Sequence, residues 1–520
     1  MFARLHSRLG AAQPYWLTRF LILRLLGFVY FFAFLSLAQQ VLPLIGRDGL
    51  LPARSYLAGI ERAVGSRFDA FLALPSLFWL GAPDRLLVVL AWAGVALSLA
   101  VALGFANAVL LAALWALYLS FVQIGQDWYG FGWEIQLLET GFLAIFLCPL
   151  LDGRPFPRRP PPVVVIVLLR WLIVRIMLGA GLIKIRGDAC WRDLTCLYYH
   201  YETQPIPNPL SRALHFMPHW FHKAGVLANH ATELGAPWFA FGPRILRRAA
   251  GILFVLFQIF LIASGNLSFL NYLTIIPALA CFDDVFLARL LPRRLVERAA
   301  RAEREAQPSP AQNRLAAGLA LVVAVLSVAP VANLVSSGQI MNTSFDRLHL
   351  VNTYGAFGSV GRERFEIVFE GTADPSLSDA TRWREYEFKC KPGDPYRRPC
   401  IMSPYQYRLA WQIWFAAMST PDNYPWTLHL VWKLLHNDAP ALRLLQSNPF
   451  PDAPPRFVRA QLYSYRFAPP GEPGGAWWRR ERLGPWLPPL ETADPGLRRM
   501  LEAYGWLSAA STSLGTSGRD

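Results

Sequence analysis

Residues 16–38 read WLTRFLILRLLGFVYFFAFLSLA, and this stretch decides the fold class. An α-helix needs about 20 apolar residues to cross the hydrocarbon core of a bilayer, and this run is long enough. It is also much longer than the apolar part of a signal peptide, which has about 7–15 residues. The stretch therefore predicts a first membrane span that is not cleaved.

The composition extends this interpretation to the whole chain. Its 520 residues are 54% hydrophobic and only 16% charged, and the mean hydropathy is +0.29. Soluble domains carry about 25% charged residues, so lipid is the expected solvent for much of this chain. The net charge of +15 comes mainly from arginines spread along the chain. They form no basic stripe with interleaved aromatic residues, which argues against a nucleic-acid partner.

Further apolar runs follow across the first 335 residues, and together they predict a mainly α-helical, polytopic transmembrane bundle. One of them, at 229–242, is shorter and weaker than the others. The nine predicted spans lie at 16–38, 85–103, 105–124, 134–151, 163–184, 229–242, 249–265, 268–287 and 315–335.

Three short connectors set the predicted orientation. Residues 152–162, 243–248 and 288–314 are rich in arginine, and short basic loops stay in the cytoplasm. Nine spans with a cytoplasmic N-terminus put all three connectors on that side, whereas eight spans do not. This consistency supports the weak span at 229–242 and places everything after residue 335 on the opposite side of the membrane.

Residues 336–505 have the pattern of a separate α+β domain on the non-cytoplasmic side. Period-two alternation at 362–370, 384–390 and 462–467 predicts strands. Helical spacing of apolar residues at 405–418 and 426–436 predicts two helices between them. Residues 506–520 are of low complexity and are predicted to be a disordered tail.

The segments with the most unusual composition all fall on or near the non-cytoplasmic side. They include DWYGFGWE (127–134), GLIKIRGDACWRDLTCLYYHYETQPIPNP (181–209), SGNLSFLNYLTIIPALACFDD (264–284), VNTYGAFGSV (351–360) and YEFKCKPGDPYRRPCIMSPYQYRLAWQIWFAA (386–417). Aromatic belts at the membrane interface account for some of the Trp and Tyr. The interleaved Gly, Asn and Pro indicate packed, fixed turns instead.

These motifs, in this order, resemble the lipase maturation factor family from about residue 125 to residue 490. The resemblance implies a multi-pass membrane protein of the endoplasmic reticulum, or of the inner membrane with a periplasmic C-terminal domain if the source is bacterial. It implies a folding and assembly factor for secreted client proteins such as dimeric lipases. Membrane lipids are the other expected partners, and neither a cofactor, a metal nor an established catalytic centre is expected.

Four of the six cysteines form two close pairs on the predicted oxidising side. Cys390 and Cys400 bracket a loop rich in Pro and Gly, and Cys190 and Cys196 flank Trp191. Both pairs are predicted to be structural disulfides, and closing a loop of about ten residues stabilises a domain by roughly 2–3 kcal/mol. The alternative is a dithiol that exchanges with client disulfides, although neither pair is a C-x-x-C motif.

Charged residues inside the apolar runs support two interpretations. Arg175 and Glu139 are predicted to form a buried pair, because an unpaired arginine at the bilayer centre is costly. Alternatively, Lys184, His200, Glu134 and Glu139 converge on one outer cavity, and the chain is a membrane enzyme that acts on lipid or peptide.

Client contacts are predicted on aromatic and polar side chains of the outer domain. The candidates are Asn352, Tyr354, Phe357, Trp477 and Trp478, each of which is compatible with a core position as well. On a helix His215, His219 and His222 would share one face, a geometry able to bind metal. Pro218 interrupts that helix, so no metal site is predicted.

Overall fold

The computed structural model describes residues 14–507. Most of the predicted disordered tail, from residue 508 onward, lies outside the described residues. Trp506 and Leu507 are described, and they pack against the C-terminal core, with Trp506 stacked on His429 at a ring distance of 4.9 Å. The folded part of the C-terminal domain thus extends slightly further than the sequence predicts.

Within the described residues 14–507, the chain is a helical protein with five candidate membrane spans and a C-terminal α+β region. The five helices that are long and apolar enough to cross a membrane are Trp16–Ile45, Asp84–Leu103, Val163–Gly187, Arg244–Ser264 and Pro310–Val335, the last of which has a turn at Ser327. Two shorter apolar helices are Ala108–Ile124 and Leu270–Cys281. The remaining helices before the C-terminal domain are Ala53–Val64, Arg67–Ala73, Gly132–Ile145, Ala189–Arg192, Leu197–Thr203, Pro209–His215, His219–His230, Asp284–Leu287 and Arg293–Arg304.

Helix length alone does not give the nine spans that the sequence predicts. The run at 134–151 corresponds to a helix of only 14 residues, Gly132–Ile145. The run at 229–242 begins at the end of the His219–His230 helix and continues as a π-helical turn, Ala231–Gly235, and a 3₁₀ turn, Ala236–Phe239. Pro237 lacks a backbone N–H and disfavours regular α-helix at the residue before it, which accounts for the irregular path.

The arginine-rich connectors meet at one end of the helical bundle, which we call the basic end. Arg159 donates to the carbonyl of Gln307 at 2.8 Å, which joins two of these connectors. Arg244, from the third connector, pairs with Asp283 at 3.1 Å. The neighbouring Asp284 accepts the backbone N–H of Trp16 at 2.8 Å, so the first long helix also begins at this end.

Two glycines allow the Trp16–Ile45 and Asp84–Leu103 helices to pack closely. A Cβ on Gly27 would overlap the backbone of Ala102, and a Cβ on Gly94 would overlap the ring of Phe34. Helix pairs in membranes rely on such close contact because lipid provides no hydrophobic drive for association.

The C-terminal domain has six strands, which are β1 Arg364–Thr372, β2 Arg384–Glu385, β3 Glu387–Phe388, β4 Leu445–Ser447, β5 Phe457–Phe467 and β6 Trp478–Leu490. Four of them form an antiparallel sheet in the order β2-β1-β5-β6. β3 and β4 form a separate two-stranded sheet. The helices of the domain are Arg408–Ala416, Trp426–Leu435, Ala439–Leu442 and Pro495–Ala503.

The sheet agrees with the predicted strands in place but differs in extent. The predicted strand at 384–390 is divided into β2 and β3, and β6 was not predicted because its arginines and prolines hide any alternation. β6 tolerates Pro485 and Pro488 because it is an edge strand, where a missing ladder hydrogen bond is acceptable. Both faces of β1 are buried, so its polar residues Arg364 and Glu366 belong to the core rather than to a solvated face.

Candidate functional site

The C-terminal domain sits on the end of the bundle opposite the basic end, which we call the domain end. The predicted motifs meet there. Asn266, in the turn before the Leu270–Cys281 helix, donates to the carbonyl of Cys400 at 3.0 Å and accepts the backbone N–H of Met402 at 2.9 Å. Gln40, near the end of the first long helix, donates to the carbonyl of Gln406 at 2.7 Å. Both amides therefore dock the segment after the Cys400 loop onto the bundle.

A buried ion pair joins the two domains next to these amides. Arg408, the first residue of its helix, donates to the carboxylate of Glu134 at 2.7 Å, and both side chains are 0% exposed. Glu134 also accepts the indole N–H of Trp133 at 2.9 Å and the hydroxyl of Tyr118. The guanidinium of Arg408 lies 3.6 Å from the ring centre of Tyr129. Glu134 is thus a fully engaged structural anion rather than a free base.

A second buried pair, predicted from the sequence, connects Arg175 with Glu139. The loop at 351–358 completes it. The backbone N–H of Asn352 and the hydroxyl of Tyr354 donate to Glu139 at 3.0 and 2.7 Å, and Arg175 donates to the carbonyl of Asn352 at 2.7 Å. The pair therefore holds this loop against the bundle.

A third cluster lies where β1 meets the loop after the Leu197–Thr203 helix. Glu366 pairs with Arg364 at 2.6 Å and with Lys391. Arg364 also donates to the carbonyls of Glu202 and Pro205, both at 2.9 Å. Burying a charge is tolerable only when such partners replace water, so this cluster fixes the position of the sheet relative to the loop.

The four residues of the predicted enzyme cavity do not form one site. Glu134 and Glu139 belong to the separate pairs described above. Lys184 donates to both oxygens of Glu233, at 2.5 and 2.7 Å, and its ammonium lies 5.1 Å from the ring centre of Trp191. Burial, assisted by the charge of Lys184, lowers the pKa of His200 to about 4, so this imidazole is neutral near pH 7.

Comparison with known proteins matches one family to both the helical bundle and the C-terminal domain. The model of the lipase maturation factor transmembrane domain matches residues 17–289, and that of the lipase maturation factor C-terminal domain matches residues 350–488. The chain belongs to the lipase maturation factor family. It is 52% identical to lipase maturation factor 1 of Bos taurus, with 95% of this chain and 92% of that protein covered.

More distant members of the lipase maturation factor family also align over most of their length. The human lipase maturation factor 1 is 49% identical, with 95% of this chain and 90% of that protein covered. The human lipase maturation factor 2 is 32% identical, with 94% and 85% covered. No solved structure matches the chain. The chain is thus a multi-pass membrane protein of this family.

Both predicted disulfides of this family member are present. Cys190 and Cys196 are bonded and buried beside Trp191, with a Cα–Cα distance of 4.8 Å. Cys390 and Cys400 are bonded with a Cα–Cα distance of 5.3 Å and line a cavity of about 160 Å³. Asp188 lies within 4.8 Å of the first pair, but two bonded sulfurs are unavailable as thiolate ligands.

The three histidines with metal-capable spacing have separate partners. His222 is hydrogen-bonded through its ring to the carbonyl of Met217 at 2.9 Å, and His219 stacks on Tyr198 at 4.4 Å. The ring of His215 lies 3.6 Å from the carboxylate of Glu202. Burial lowers the pKa of His215 to about 4, so at neutral pH this contact is not an ion pair.

Most of the predicted client contacts are placed inside the protein. Asn352, Tyr354 and Trp478 are buried, the first two against Glu139 and the third against Phe467 at 4.1 Å. Side chains that are occupied in this way are inaccessible to a client, so a contact role for these three needs correction. Phe357 and Trp477 are half-buried and keep part of their surface free.

Sequence reasoning missed two of the ion-pair partners, Arg408 and Glu233. Arg408 lies within a predicted helix, where an arginine is unremarkable, and its partner Glu134 is 274 positions away. Glu233 is the single acidic residue of the weak run at 229–242, and that isolation was the available signal for a partner such as Lys184.

Proposed function

We propose that this chain is a membrane-bound maturation factor that helps secreted lipases to fold and assemble into active enzymes. The observation that carries the proposal is the match to both domains of the lipase maturation factor family, with about half of the residues identical to lipase maturation factor 1 over 95% of the chain. The relatives are named for this role, and the family models match both the transmembrane and the C-terminal domain of this chain.

The geometry of the site supports a binding and holding role over an acid–base reaction. Glu134, Glu139 and Lys184 each have a buried counter-ion. A general acid or base needs a proton-transfer position that is free to meet a substrate, and these three groups use theirs to hold loops and helices together. They give the domain end a fixed shape on which a flexible client can be arranged.

We further propose that the chain crosses the membrane nine times. Contacts between segments alternate between the two ends in the way that nine crossings require. Ala108 donates to the carbonyl of Pro149 at 2.9 Å, so the short Gly132–Ile145 helix and its extension return to the basic end. The irregular segment after residue 230 starts beside Lys184, through Glu233, and reaches Asp283 through Arg244. These two segments supply the crossings that helix length leaves out.

The basic end then faces the cytoplasm, and the C-terminal domain faces the lumen of the endoplasmic reticulum or, in a bacterium, the periplasm. The position of both disulfides supports this assignment, because stable disulfides form in oxidising compartments. A secreted lipase folds in that same compartment, so the domain end is the face that a client meets.

We propose an apolar patch at the domain end as the client-contact surface. It lies on the Pro209–His215 and His219–His230 helices and the turn between them. The members of this domain-end patch are Leu210, Phe216, Met217, Trp220 and Leu227, all exposed. The patch adjoins the C-terminal domain, because Arg212 donates to the carbonyl of Ala468 at 2.8 Å and covers the ring of Trp477 at 4.5 Å.

Two properties of the domain-end patch suit a partly folded client. Trp220 is 68% exposed, which is unusual for so large an apolar side chain outside an interface. Met217 adds a flexible thioether, the kind of side chain that adapts to varied apolar partners. Partly folded lipases expose apolar surface that such side chains can cover temporarily.

The function can be tested in cells that lack their own lipase maturation factor. The full-length chain is expressed with a dimeric lipase, and lipase activity and lipase mass are measured in the medium. We expect the activity per unit mass to rise at least tenfold over cells without the chain. Equal lipase activity per unit mass with and without the chain would reject the proposal.

A double variant, Phe216→Ser with Trp220→Ser, tests the domain-end patch in the same cells. We expect normal amounts of the variant in the membrane and a several-fold lower specific activity of the secreted lipase. If the patch instead rests in lipid as part of an aromatic belt, the variant will lose membrane stability and amount. In that case the lipase activity in the medium, divided by the amount of variant in the membrane, stays normal.

A further inference from the structure

A groove of about 650 Å³ opens on the side of the helical bundle, far from the domain end. It lies between the Gly132–Ile145 helix, with the turn that follows it, and the Pro310–Leu326 helix. Small-molecule sites commonly have volumes of about 300–1,000 Å³, so this groove can take one chain of a lipid-sized ligand. Its apolar walls are Phe142, Phe146, Leu315, Leu319 and Val322.

A glycine keeps this groove open. A Cβ placed on Gly318 meets no atom within 4 Å, which shows that the helix borders empty space at that position. Gly318 is flanked by apolar groove residues on the same helix. Most other side chains at position 318 would extend into the groove. A larger side chain at position 318 can therefore fill the groove without disturbing the helix packing. A substitution there tests whether the groove binds a ligand.

Among residues 14–507, Arg314 is the cation at the mouth of the groove. Arg314 lines it, four positions before Gly318 and so on the same side of the helix. Arg314 is exposed, and within residues 14–507 it has neither a hydrogen bond nor an ion pair. The neighbouring Gln312 donates to the carbonyl of Cys148 at 3.3 Å, which fixes this helix start against the bundle.

The mouth of the groove belongs to the basic end of the molecule. The segment just before the helix is held by Arg159, which donates to the carbonyl of Gln307. An apolar groove along the bundle with an arginine at the membrane surface matches the two parts of a phospholipid, an acyl chain and a phosphate. Basic sites at the cytoplasmic ends of transmembrane helices recognise anionic head groups in this way.

We propose that this groove binds one anionic phospholipid, with an acyl chain along Phe142 and Leu319 and the phosphate paired with Arg314. The apolar face of a transmembrane helix from a second copy fits less well, because such a face brings no anion to Arg314, and a covered, unpaired arginine is costly. The lipid brings its own anion. This site is independent of the client and of the proposed role in lipase maturation.

Native mass spectrometry of the purified full-length chain tests the lipid site, with phosphatidylglycerol and phosphatidylcholine as the added probes. Gly318→Leu fills the groove and Arg314→Gln removes the cation. The controls are Gly59→Leu, another helical glycine with open space at its Cβ, and Arg298→Gln, another exposed arginine of the basic end. Gel filtration confirms that each variant is folded and gives its oligomeric state.

We expect phosphatidylglycerol to bind at least fivefold more strongly than phosphatidylcholine. Each groove variant should lower that binding at least fivefold, and neither control should change it by more than twofold. Equal binding by Gly318→Leu and Gly59→Leu would overturn the groove as the site. Equal binding by Arg314→Gln and Arg298→Gln would overturn the phosphate contact. A groove variant that changes the oligomeric state but not lipid occupancy would assign the groove to a second copy.

Discussion

Replacing Arg408 with glutamine removes the cation that joins the C-terminal domain to Glu134. Both side chains are fully buried, so water cannot replace the lost partner. Breaking a buried ion pair by removing one member destabilises a protein by about 3–5 kcal/mol. Glu134 keeps its hydrogen bonds from Trp133 and Tyr118, which moderates the penalty. We therefore expect a cost near the lower limit, about 3 kcal/mol.

The Arg408→Gln cost can be measured as a change in melting temperature. For a domain of about 150–250 residues, each kcal/mol corresponds to roughly 2–4 °C, so the C-terminal domain should melt about 6–12 °C earlier. Intrinsic tryptophan fluorescence of the protein in detergent follows this transition, because Trp128 and Trp133 lie beside the ion pair. Proteolysis should also release the C-terminal domain at a lower temperature in the variant.

A matched control comes from an ion pair on the surface. Arg293 and Glu297 form an exposed pair four residues apart on one helix, and such pairs contribute at most about 0.5 kcal/mol. Arg293→Gln should therefore shift the melting temperature by no more than about 2 °C. If Arg408→Gln melts within 2 °C of Arg293→Gln, the buried Arg408–Glu134 pair does not hold the two domains together.

Three further predictions follow from the packing, the histidines and the cysteines. Gly27→Leu should abolish monodisperse protein in fluorescence-detected gel filtration, because its side chain overlaps the Asp84–Leu103 helix, whereas Gly59→Leu should behave as wild type. Because the pKa of His200 is about 4 in the folded protein and about 6.5 when unfolded, stability should fall as pH drops through this range, by about 2 kcal/mol at pH 5. A melting temperature that falls equally between pH 7.5 and pH 5 in wild type and His200→Gln would contradict this. Alkylation of the denatured, unreduced chain should label Cys148 and Cys281 only, and labelling of other cysteines would contradict the disulfides.

The parts of this structure that the sequence predicts are those under strong local constraint. Long apolar runs become helices because the hydrocarbon core leaves few alternatives for the backbone. Arg175 and Glu139 were paired correctly because each is isolated in an apolar run and a lone buried charge is costly. The disulfides were predicted from cysteines that lie close together in the chain.

The parts that the sequence does not predict depend on contacts between distant segments. The 351–358 loop has the composition of an exposed recognition loop, yet Asn352 and Tyr354 are directed inward to satisfy Glu139. The polar side of β1 looks solvated in the sequence, but Glu366 is buried with Arg364 and Lys391. In both cases a charge on a distant element determines which way the side chains face. The sequence of the segment itself does not predict this direction.

The most direct test of the central claim is a photocrosslink from the domain-end patch to a newly made lipase. A photoreactive amino acid replaces Trp220 in the full-length chain, and the same replacement at Leu256, exposed on the Arg244–Ser264 helix, serves as the control. We predict a lipase adduct from position 220 while the lipase is folding, and none from position 256. A lipase that becomes active in the presence of this chain without any adduct from position 220 would contradict the claim that this face handles the client.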